Sequence, residues 1–459
     1  MKQNKPNILV ITCHDLGDYL GCYGTPVETP NLDKLAQEGV MFAQHYASAT
    51  ICCPSRASLW TGCYAHTHGL MGLMPRGWEM DVDRCPHAAS ILKSEGYQTH
   101  LFGLQHEHWD PYVLGFDDVH DVASTFGDDV TPVFLDWLME KRESNVPFFA
   151  AVGFFEAHRI GSASQGPSPE FIGQLPSHFQ RDNYSSDDPA DVEVRPYLPD
   201  IPEQRQELAD FYGSIKYLDE IVGHILVTLD NVGLADNTLV VFTSDHGASF
   251  LHSKATLYDG GVKIPLLMRL PDTLPQGKEV AELISNVDVL PTILDLIDAE
   301  VPQHFQGTSF LKLAKGEQAS EKGCVFAEKN YTTYFDPARM ARTKQFKYIR
   351  NGLRKGFFDF VLTEIEMSQT SFRNNLDVFK FYDSRRVLEE LYDLEADPAE
   401  MNNVADDPAY QEALAEMRTI LDQHLELTDD PFRHFRNDIL MPEDVYPDVK
   451  GIREETDRD

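Results

Sequence analysis

Two pairs of histidine and aspartate stand directly after predicted strands. His14-Asp15 follows the apolar run 7–12, and Asp245-His246 follows the apolar run 239–243. Because ligands of open α/β sheets gather at the carboxyl ends of the strands, we expect both pairs to lie at one edge of the sheet. Carboxylate oxygens and imidazole nitrogens suit a divalent cation such as Ca²⁺, Mg²⁺ or Mn²⁺. An aspartate in this position is, however, often only a cap for the next helix.

A candidate nucleophile lies between the two pairs. Residues 52–62 read Cys-Cys-Pro-Ser-Arg-Ala-Ser-Leu-Trp-Thr-Gly. A cysteine is usually a small buried hydrophobe, and Pro-Ser usually begins a helix. The whole string resembles the signature of the type I (formylglycine-dependent) sulfatases, in which the first cysteine is oxidised to the nucleophile Cα-formylglycine. Since the arginine must stand four residues after the modified position, the resemblance selects Cys52 and not Cys53.

The resemblance extends over most of the chain. The stretches that are similar to family motifs are 7–10, 15–17, 21–24, 29–33, 242–247, 258–265 and 390–398. Lys254 stands where the family places a sulfate-binding lysine. Residues 53–59, 69–73 and 157–159 further resemble the heparan N-sulfatases (N-sulfoglucosamine sulfohydrolases), although other glycan sulfatases share these features.

The chain departs from the family pattern at the site itself. His14-Asp15 replaces the usual Asp-Asp, and Asp245-His246 replaces the usual Asp-Asn, a variant seen in related phosphonate monoester hydrolases. The usual Gly-Lys-x-His carries Leu104 in place of the lysine, and the usual His-x-Pro-His begins with Phe155. An anion pocket that loses a lysine needs another cation, and the candidates are Arg56, Arg159, Lys254 and Lys263.

The resemblance implies a role for each site residue. The hydrated formylglycine at position 52 attacks sulfur, and a divalent metal, calcium first with manganese or magnesium as alternatives, activates it. Arg56 and Lys254 add positive charge. His158 protonates the leaving group and His106 takes a proton from the second hydroxyl. The implied metal ligands are His14, Asp15, Cys52, Asp245 and His246, and the implied substrate contacts are His158, Arg159 and Lys254. His106 and His158 have a structural alternative as hydrogen-bonding partners, and His14 has one as a partner of the ligands.

These residues require an α/β scaffold. Apolar runs of strand length at 7–12, 148–155 and 239–243 alternate with helical patterns at 32–39, 212–232 and 290–297, which predicts a largely parallel sheet. The resemblance implies the alkaline-phosphatase-like α/β/α sandwich, with a smaller α+β C-terminal subdomain.

The pattern of the chain changes near residue 320. Residues 324–327 and 346–350 are typical of short strands, and 408–427 of a helix. We therefore predict a catalytic sulfatase domain at 1–320 and a C-terminal subdomain at 321–459. Residues 160–206, rich in Ser, Pro, Asp and Gln, are predicted to form a long surface excursion that binds substrate or covers the site.

Composition excludes several classes of protein. The 459 residues carry 39 basic and 74 acidic side chains, a net charge of −35, which disfavours nucleic acid and anionic membranes as partners. The chain has no run of about 18 apolar residues, so no membrane-spanning helix is predicted. Seven scattered cysteines do not form a disulfide framework and favour a reducing compartment. We expect a cytoplasmic protein as the chain stands, or a periplasmic or secreted one if a leader has been trimmed.

The combined prediction is a sulfatase that hydrolyses sulfate esters or N-sulfate groups of sulfated sugars. Its partners would be the sulfated carbohydrate and a formylglycine-generating enzyme, and Trp78 and Trp109 are candidates for lining a sugar pocket. One alternative is a phosphonate or phosphate ester hydrolase on the same site, which Asp245-His246 favours. The other is a non-catalytic glycan-binding relative, motivated by His14, Leu104 and Phe155.

Overall fold

The computed structural model describes residues 5–144, 146–160, 178–320, 322–332, 335–352 and 387–434. Its strands are β1 (Asn7–Cys13), β2 (Val40–Phe42), β3 (His45–Tyr46), β4 (Gln98–Gly103), β5 (Asp118–His120), β6 (Phe148–Gly153), β7 (Thr238–Ser244), β8 (Leu266–Arg269), β9 (Lys278–Val280), β10 (Ile284–Ser285), β11 (Val325–Tyr331), β12 (Phe335–Arg342), β13 (Phe346–Asn351) and β14 (Glu389–Asp393). Its α-helices are α1 (Pro30–Glu38), α2 (Cys52–Thr61), α3 (Ala65–His68), α4 (Ala88–Ser94), α5 (Gly127–Glu140), α6 (Pro202–Asn231), α7 (Asp259–Val262), α8 (Val289–Leu296), α9 (Leu311–Lys315) and α10 (Gln411–Leu427).

The central sheet has eight strands in the order β5-β4-β6-β1-β7-β8-β2-β9. The five strands from β5 to β7 are parallel to one another, while β8 is antiparallel to both of its neighbours. In the centre, Ile11 of β1 pairs with Val152 of β6 and with Phe242 of β7. The ends of β1, β6 and β7 therefore lie side by side at one edge of the sheet.

Both faces of this sheet are covered. Because side chains alternate along a strand, Ile8 and Val10 enter one hydrophobic core and Leu9 and Ile11 enter the other. The first core receives residues of α2, α3, α4, α8 and α9. The second receives residues of α1, α5 and α6. The predicted α/β/α sandwich around a mostly parallel sheet is thus confirmed.

The predicted helices and strands are present in the structure, but their first and last residues differ from the predicted ones. The helix expected at 212–232 begins ten residues earlier, because Pro202 is suited to a first helical turn and the apolar spacing continues through Leu208 and Phe211. Pro291 lies in the first turn of α8, as expected. Of the excursion predicted at 160–206, residues 161–177 lie outside the described residues, and 178–201 form turns that carry one bridge, between His178 and Ile160.

The C-terminal part contains a small antiparallel sheet in the order β11-β12-β13-β14. Helix α10 covers one of its faces through Leu414, Met417 and Leu421. The other face packs against Tyr46 and Leu257 of the larger part. This confirms the predicted smaller α+β unit, whereas the boundary at residue 320 stays a prediction.

Two further observations concern the chain as a whole. All seven cysteines are free thiols. None of the helices among the described residues combines the length and the apolar character that crossing a bilayer would require.

A buried ion network joins α3 to the C-terminal sheet. His66 Nδ1 lies 2.5 Å from Glu328 Oε2. Arg339 donates to both carboxylate oxygens of Asp430, at 2.6 and 3.0 Å. All four side chains are at most 3% exposed. Because charges buried this deeply are tolerated only when they are paired, the network depends on each of its members.

Removing the arginine should therefore be costly. We expect Arg339→Met to lower the free energy of unfolding by about 3 kcal/mol, because it leaves Asp430 buried without its main partner. Arg350→Met is the matched control, since Arg350 pairs with Asp422, whose side chain is 60% exposed, and should cost less than about 1 kcal/mol. Urea unfolding measures both, and equal losses for the two variants would contradict the expectation.

Candidate active site

Cys52 is the first residue of α2, and the extended Ile51 precedes it. All ten residues of α2 are buried, and the helix ends at Gly62, whose φ of 66° favours glycine. The dipole of the helix favours an anion at this end. The pKa of the Cys52 thiol lies well below its ordinary value, chiefly through a hydrogen bond with Cys53, while desolvation opposes the shift and His106 and other imidazoles support it.

The two predicted carboxylates meet at the ends of neighbouring strands. Asp15 follows β1 and Asp245 follows β7, and the backbone amide of Asp15 donates to Asp245 Oδ1 at 2.9 Å. Asp15 has a φ of 55°, which turns the chain sharply at the sheet edge. Both side chains are fully buried. Two buried carboxylates this close require positive charge around them.

Histidines from the same two loops contact both carboxylates. His14 Nδ1 lies 2.7 Å from Asp15 Oδ1 and 3.1 Å from Asp245 Oδ2. Burial opposes protonation of His14, but Asp245 and Asp15 outweigh it and raise its pKa to about 9. His246 Nδ1 lies 3.0 Å from the carbonyl of Gly247, which can only accept a hydrogen bond, so this nitrogen carries the proton. Nε2 is therefore the ring nitrogen of His246 that can serve as a ligand.

Two cations complete the cluster. Arg56, one turn after Cys52, donates from Nε to Asp245 Oδ2 at 3.1 Å and from Nη2 to the carbonyl of Cys13 at 2.7 Å. Lys254 Nζ lies 2.5 Å from Asp15 Oδ2. Burial alone would raise the pKa of Asp15, but the adjacent His158 imidazole, the Lys254 ammonium and His14 hold it well below its ordinary value. Burial likewise opposes ionisation of Asp245, but His14 and other neighbours lower its pKa to about 2, so both carboxylates are ionised at neutral pH.

The two predicted proton-transfer histidines follow adjacent strands. His106 comes after β4 and His158 after β6, and their ring centroids lie 5.3 and 4.3 Å from that of His14. His158 Nδ1 donates to the carbonyl of Arg159 at 2.6 Å, and its Nε2 lies 3.2 Å from Lys254 Nζ. Burial lowers the pKa of His158 to about 3 although Asp15 opposes the shift, so the ring is neutral and accepts from the lysine.

The other predicted cations have different surroundings. Arg159 is 1% exposed, donates to the carbonyl of Ser249 at 2.9 Å and to Glu207, and lies over the ring of Phe179. Lys263 pairs with Asp18 at 3.2 Å. A substrate contact by Arg159 stays a prediction. Trp78 is buried against Tyr331, whereas Trp109 is 65% exposed.

Two residues that support the site were not predicted. Asn286 donates to the backbone carbonyl and the hydroxyl of Ser55, and this hydroxyl donates in turn to the carbonyl of Asp245. Glu107 is 1% exposed and accepts from the backbone amide of His106. An acidic residue directly after a candidate catalytic histidine was a signal for Glu107, whereas nothing in the sequence linked Asn286 to Ser55.

The cluster fits a divalent cation. One ligand atom from each of His14, Asp15, Asp245 and His246 lies within 4.8 Å of the others. His246 Nε2 is buried, has no hydrogen-bond partner and faces Asp15 Oδ1 at 3.3 Å. A ring nitrogen without a partner beside carboxylate oxygens is the kind of donor set that a divalent cation takes in proteins. A second group of His14, Cys52 and His106 adjoins the first.

Known proteins resemble this chain in sequence and in fold. A family model described as Sulfatase matches residues 6–299, and one described as N-sulphoglucosamine sulphohydrolase, C-terminal, matches 246–364. The chain is 27% identical to an ulvan-active sulfatase of Formosa agariphila, over 92% of this chain and 75% of that protein. It is also 27% identical to human N-sulphoglucosamine sulphohydrolase, over 93% of this chain and 91% of that protein. The solved structure of a protein in complex with its substrate D-glucosamine-2-N,6-O-disulfate has the same fold, with a TM-score of 0.68 and 21% identity over 93% of this chain and 98% of that chain.

Loading the site with a cation should stabilise the protein. We expect Ca²⁺ to raise the Tm of chelator-treated protein by several degrees, because a ligand at 100 times its Kd adds about 2.7 kcal/mol to the free energy of unfolding. Asp245→Asn should abolish this rise, while the control Asp422→Asn, on an exposed carboxylate, should keep it. Calorimetric titration of the folded proteins checks the result directly. If Ca²⁺, Mg²⁺ and Mn²⁺ neither bind nor change the Tm of the parent protein, the cation site is wrong.

Proposed function

The chain belongs to the sulfatase family and is a sulfuric ester hydrolase, and we propose that it removes sulfate from sulfated sugars through a formylglycine formed at Cys52. The observation that carries the proposal is the position of Cys52. It begins a buried helix, and its sulfur lies within 4.8 Å of ligand nitrogens of His14 and His106, beside the carboxylate cluster. The neighbouring Cys53 lies by the backbone amide of Met74 instead.

N-sulfated glucosamine is the substrate class that we favour within sulfated sugars. The match of residues 246–364 to the C-terminal model of N-sulphoglucosamine sulphohydrolase supports it, as does the coverage of 91% of the human relative. Sulfate esters of other glycans are the broader class, supported by the ulvan-active relative. We also propose that residues 1–320 form the catalytic domain and 321–459 the C-terminal subdomain.

The first step transfers the sulfuryl group to the enzyme. One hydroxyl of the hydrated aldehyde at position 52 releases its proton to water and attacks sulfur, and the bond from sulfur to the sugar oxygen or nitrogen breaks. The leaving group is protonated through His158, which is neutral at rest and first takes the proton from Lys254 across the 3.2 Å between Nζ and Nε2. Arg56 and Lys254 hold positive charge beside the two carboxylates, so that the sulfuryl oxygens do not face uncompensated negative charge.

The second step regenerates the aldehyde. His106 takes the proton of the remaining hydroxyl, the bond from carbon to the sulfated oxygen breaks, and sulfate leaves. Asp15, Asp245 and His246 would hold a divalent cation, calcium or else manganese or magnesium, and its charge would lower the pKa of the attacking hydroxyl and balance the charge of the sulfuryl oxygens. We assign His14 the role of donating to both carboxylates, with direct ligation as its alternative. We also propose that Arg159 contacts the substrate.

The choice of Cys52 over Cys53 gives the decisive test. Peptide mass spectrometry of protein made with a formylglycine-generating enzyme should show an aldehyde or its hydrate at position 52 and a thiol at 53. Cys52→Ala should lower sulfate release by more than about a thousandfold, because it removes the nucleophile. The matched variant Cys53→Ala should keep activity within about tenfold. An unmodified thiol at 52 in active protein would refute the mechanism.

The role of His158 predicts a dependence on the leaving group. We expect His158→Asn to slow release of sulfate from a sugar by about 10²–10³-fold, because a sugar amine or hydroxyl must leave protonated. The same variant should slow 4-nitrophenyl sulfate by less than about tenfold, since nitrophenolate leaves without a proton. The exposed His224, changed to Asn, is the control. Equal losses on both substrates would show that His158 does not act as the acid.

Hydrolysis of phosphonate or phosphate esters is the second candidate function, and the Asp245-His246 pair is the observation that favours it. The same matured protein would attack phosphorus in place of sulfur. Comparison of kcat/KM on an aryl sulfate and on the matching aryl phosphonate separates the two, and a higher value on the phosphonate would replace the sulfatase proposal. Release of sulfate from any glycan eliminates the non-catalytic alternative.

A further inference from the structure

A group of exposed aromatic and aliphatic side chains lies just beyond the candidate proton-transfer residue His106. Among the residues that the structure describes, nine large hydrophobic side chains are exposed, and three of them fall within positions 109–113. Trp109 is 65% exposed, Tyr112 57% and Val113 46%. We call these three residues the 109–113 platform. Single exposed hydrophobic residues need no explanation, but a group of this kind indicates a binding surface.

The platform is held rigidly. Gln105 accepts hydrogen bonds from the backbone amides of Glu107 and His108 and donates to the carbonyl of His108 at 2.6 Å. Asp110 Oδ1 accepts from the amide of Tyr112 at 3.0 Å, and Leu114 anchors the far end in the core. The exposed side chains thus stand on a loop whose backbone is fixed by its own polar groups, so a ligand would lose little entropy in ordering it.

The platform adjoins the candidate site. Trp109 is three residues from His106, and three residues span at most about 11 Å. His106 belongs to the group with Cys52 and His14, and it is partly exposed, as is His158. If a substrate places its sulfate at Cys52 from the side of His106, its next ring lies within reach of Trp109.

The distribution of charge indicates that the protein binds the part of the substrate beyond the sulfate through uncharged contacts. The protein carries a net charge of −35. The cations around the cluster each face a carboxylate: Arg56 faces Asp245, Lys254 faces Asp15, and Lys263 faces Asp18. A second sulfate on the substrate would find little attraction here. The C–H faces of a pyranose ring, in contrast, pack well on the electron-rich face of an indole or phenol ring.

We propose that the 109–113 platform binds the pyranose ring next to the sulfated residue, so that the enzyme acts on the chain end of an oligosaccharide in preference to a monosaccharide. This rests on the proposed function. The exposed carboxylate of Asp110 borders the platform and disfavours a sulfate on the bound neighbouring ring. Trp109 supplies the main stacking face and Tyr112 the second.

The test compares two substrates that share the same terminal N-sulfated glucosamine, the monosaccharide and a tetrasaccharide. Trp109→Ala should lower kcat/KM for the tetrasaccharide about tenfold and leave the monosaccharide unchanged, because only the longer substrate reaches the platform. Trp109→Phe should restore most of the loss. Leu427→Ala, which removes an 86% exposed side chain from the end of α10, is the control for exposed apolar surface.

Other outcomes would contradict the proposed role of the 109–113 platform. Equal losses on both substrates, or no loss on either, contradict a subsite for the neighbouring sugar. Light scattering tests self-association, and a parent dimer that Trp109→Ala converts to monomers would assign the platform to a second copy of the chain. Calorimetric binding of the tetrasaccharide to protein whose Cys52 is unmodified separates the two proposals. Tight binding that depends on Trp109, without sulfate release by matured protein, would keep the platform and refute the catalytic proposal.

Discussion

The structure is organised around the mutual repulsion of two buried carboxylates. Asp15 and Asp245 are held together at the ends of adjacent central strands, where water cannot screen them. Three positively charged groups compensate this repulsion: Arg56 and Lys254 each pair with one carboxylate, and His14 lies between the two. The cluster therefore tolerates an incoming anion only because the positive charge is already fixed in place, which is the requirement that sulfate transfer imposes.

The sheet supplies the rigidity that this arrangement needs. Strands β1 and β7 are central and paired along their whole lengths, and their side chains are buried on both faces, so their ends have little freedom. The less central strands β4 and β6 deliver His106 and His158 to the same edge. Helix α2 begins at that edge with Cys52 as its first residue, and Arg56 follows one turn later. Residues that are distant along the chain therefore meet because four strands end, and one helix begins, at the same edge of the sheet.

The sequence predicted the parts of this arrangement that depend on local pattern. Apolar runs located β1, β6 and β7, and the rule that ligands gather at carboxyl ends of strands brought Asp15 and Asp245 together correctly. What it missed depends on tertiary contacts. Trp78 could not be distinguished from a sugar-binding aromatic without its contact with Tyr331, and Asn286 reaches Ser55 across more than two hundred residues. The start of α6 at Pro202 is different, because a proline and the apolar spacing through Leu208 are local signals.

The complete burial of α2 sets an order of events during biosynthesis. Cys52 is only 7% exposed and every residue of its helix is covered, so a second protein cannot close its own active site around this segment once the sandwich has formed. Any enzyme that oxidises Cys52 must therefore meet the chain while residues 52–62 are still extended. The rate at which β1 and β7 pair then competes with the rate of oxidation. Under the proposed mechanism, a chain that folded faster would yield more molecules that are fully folded but lack the aldehyde at position 52.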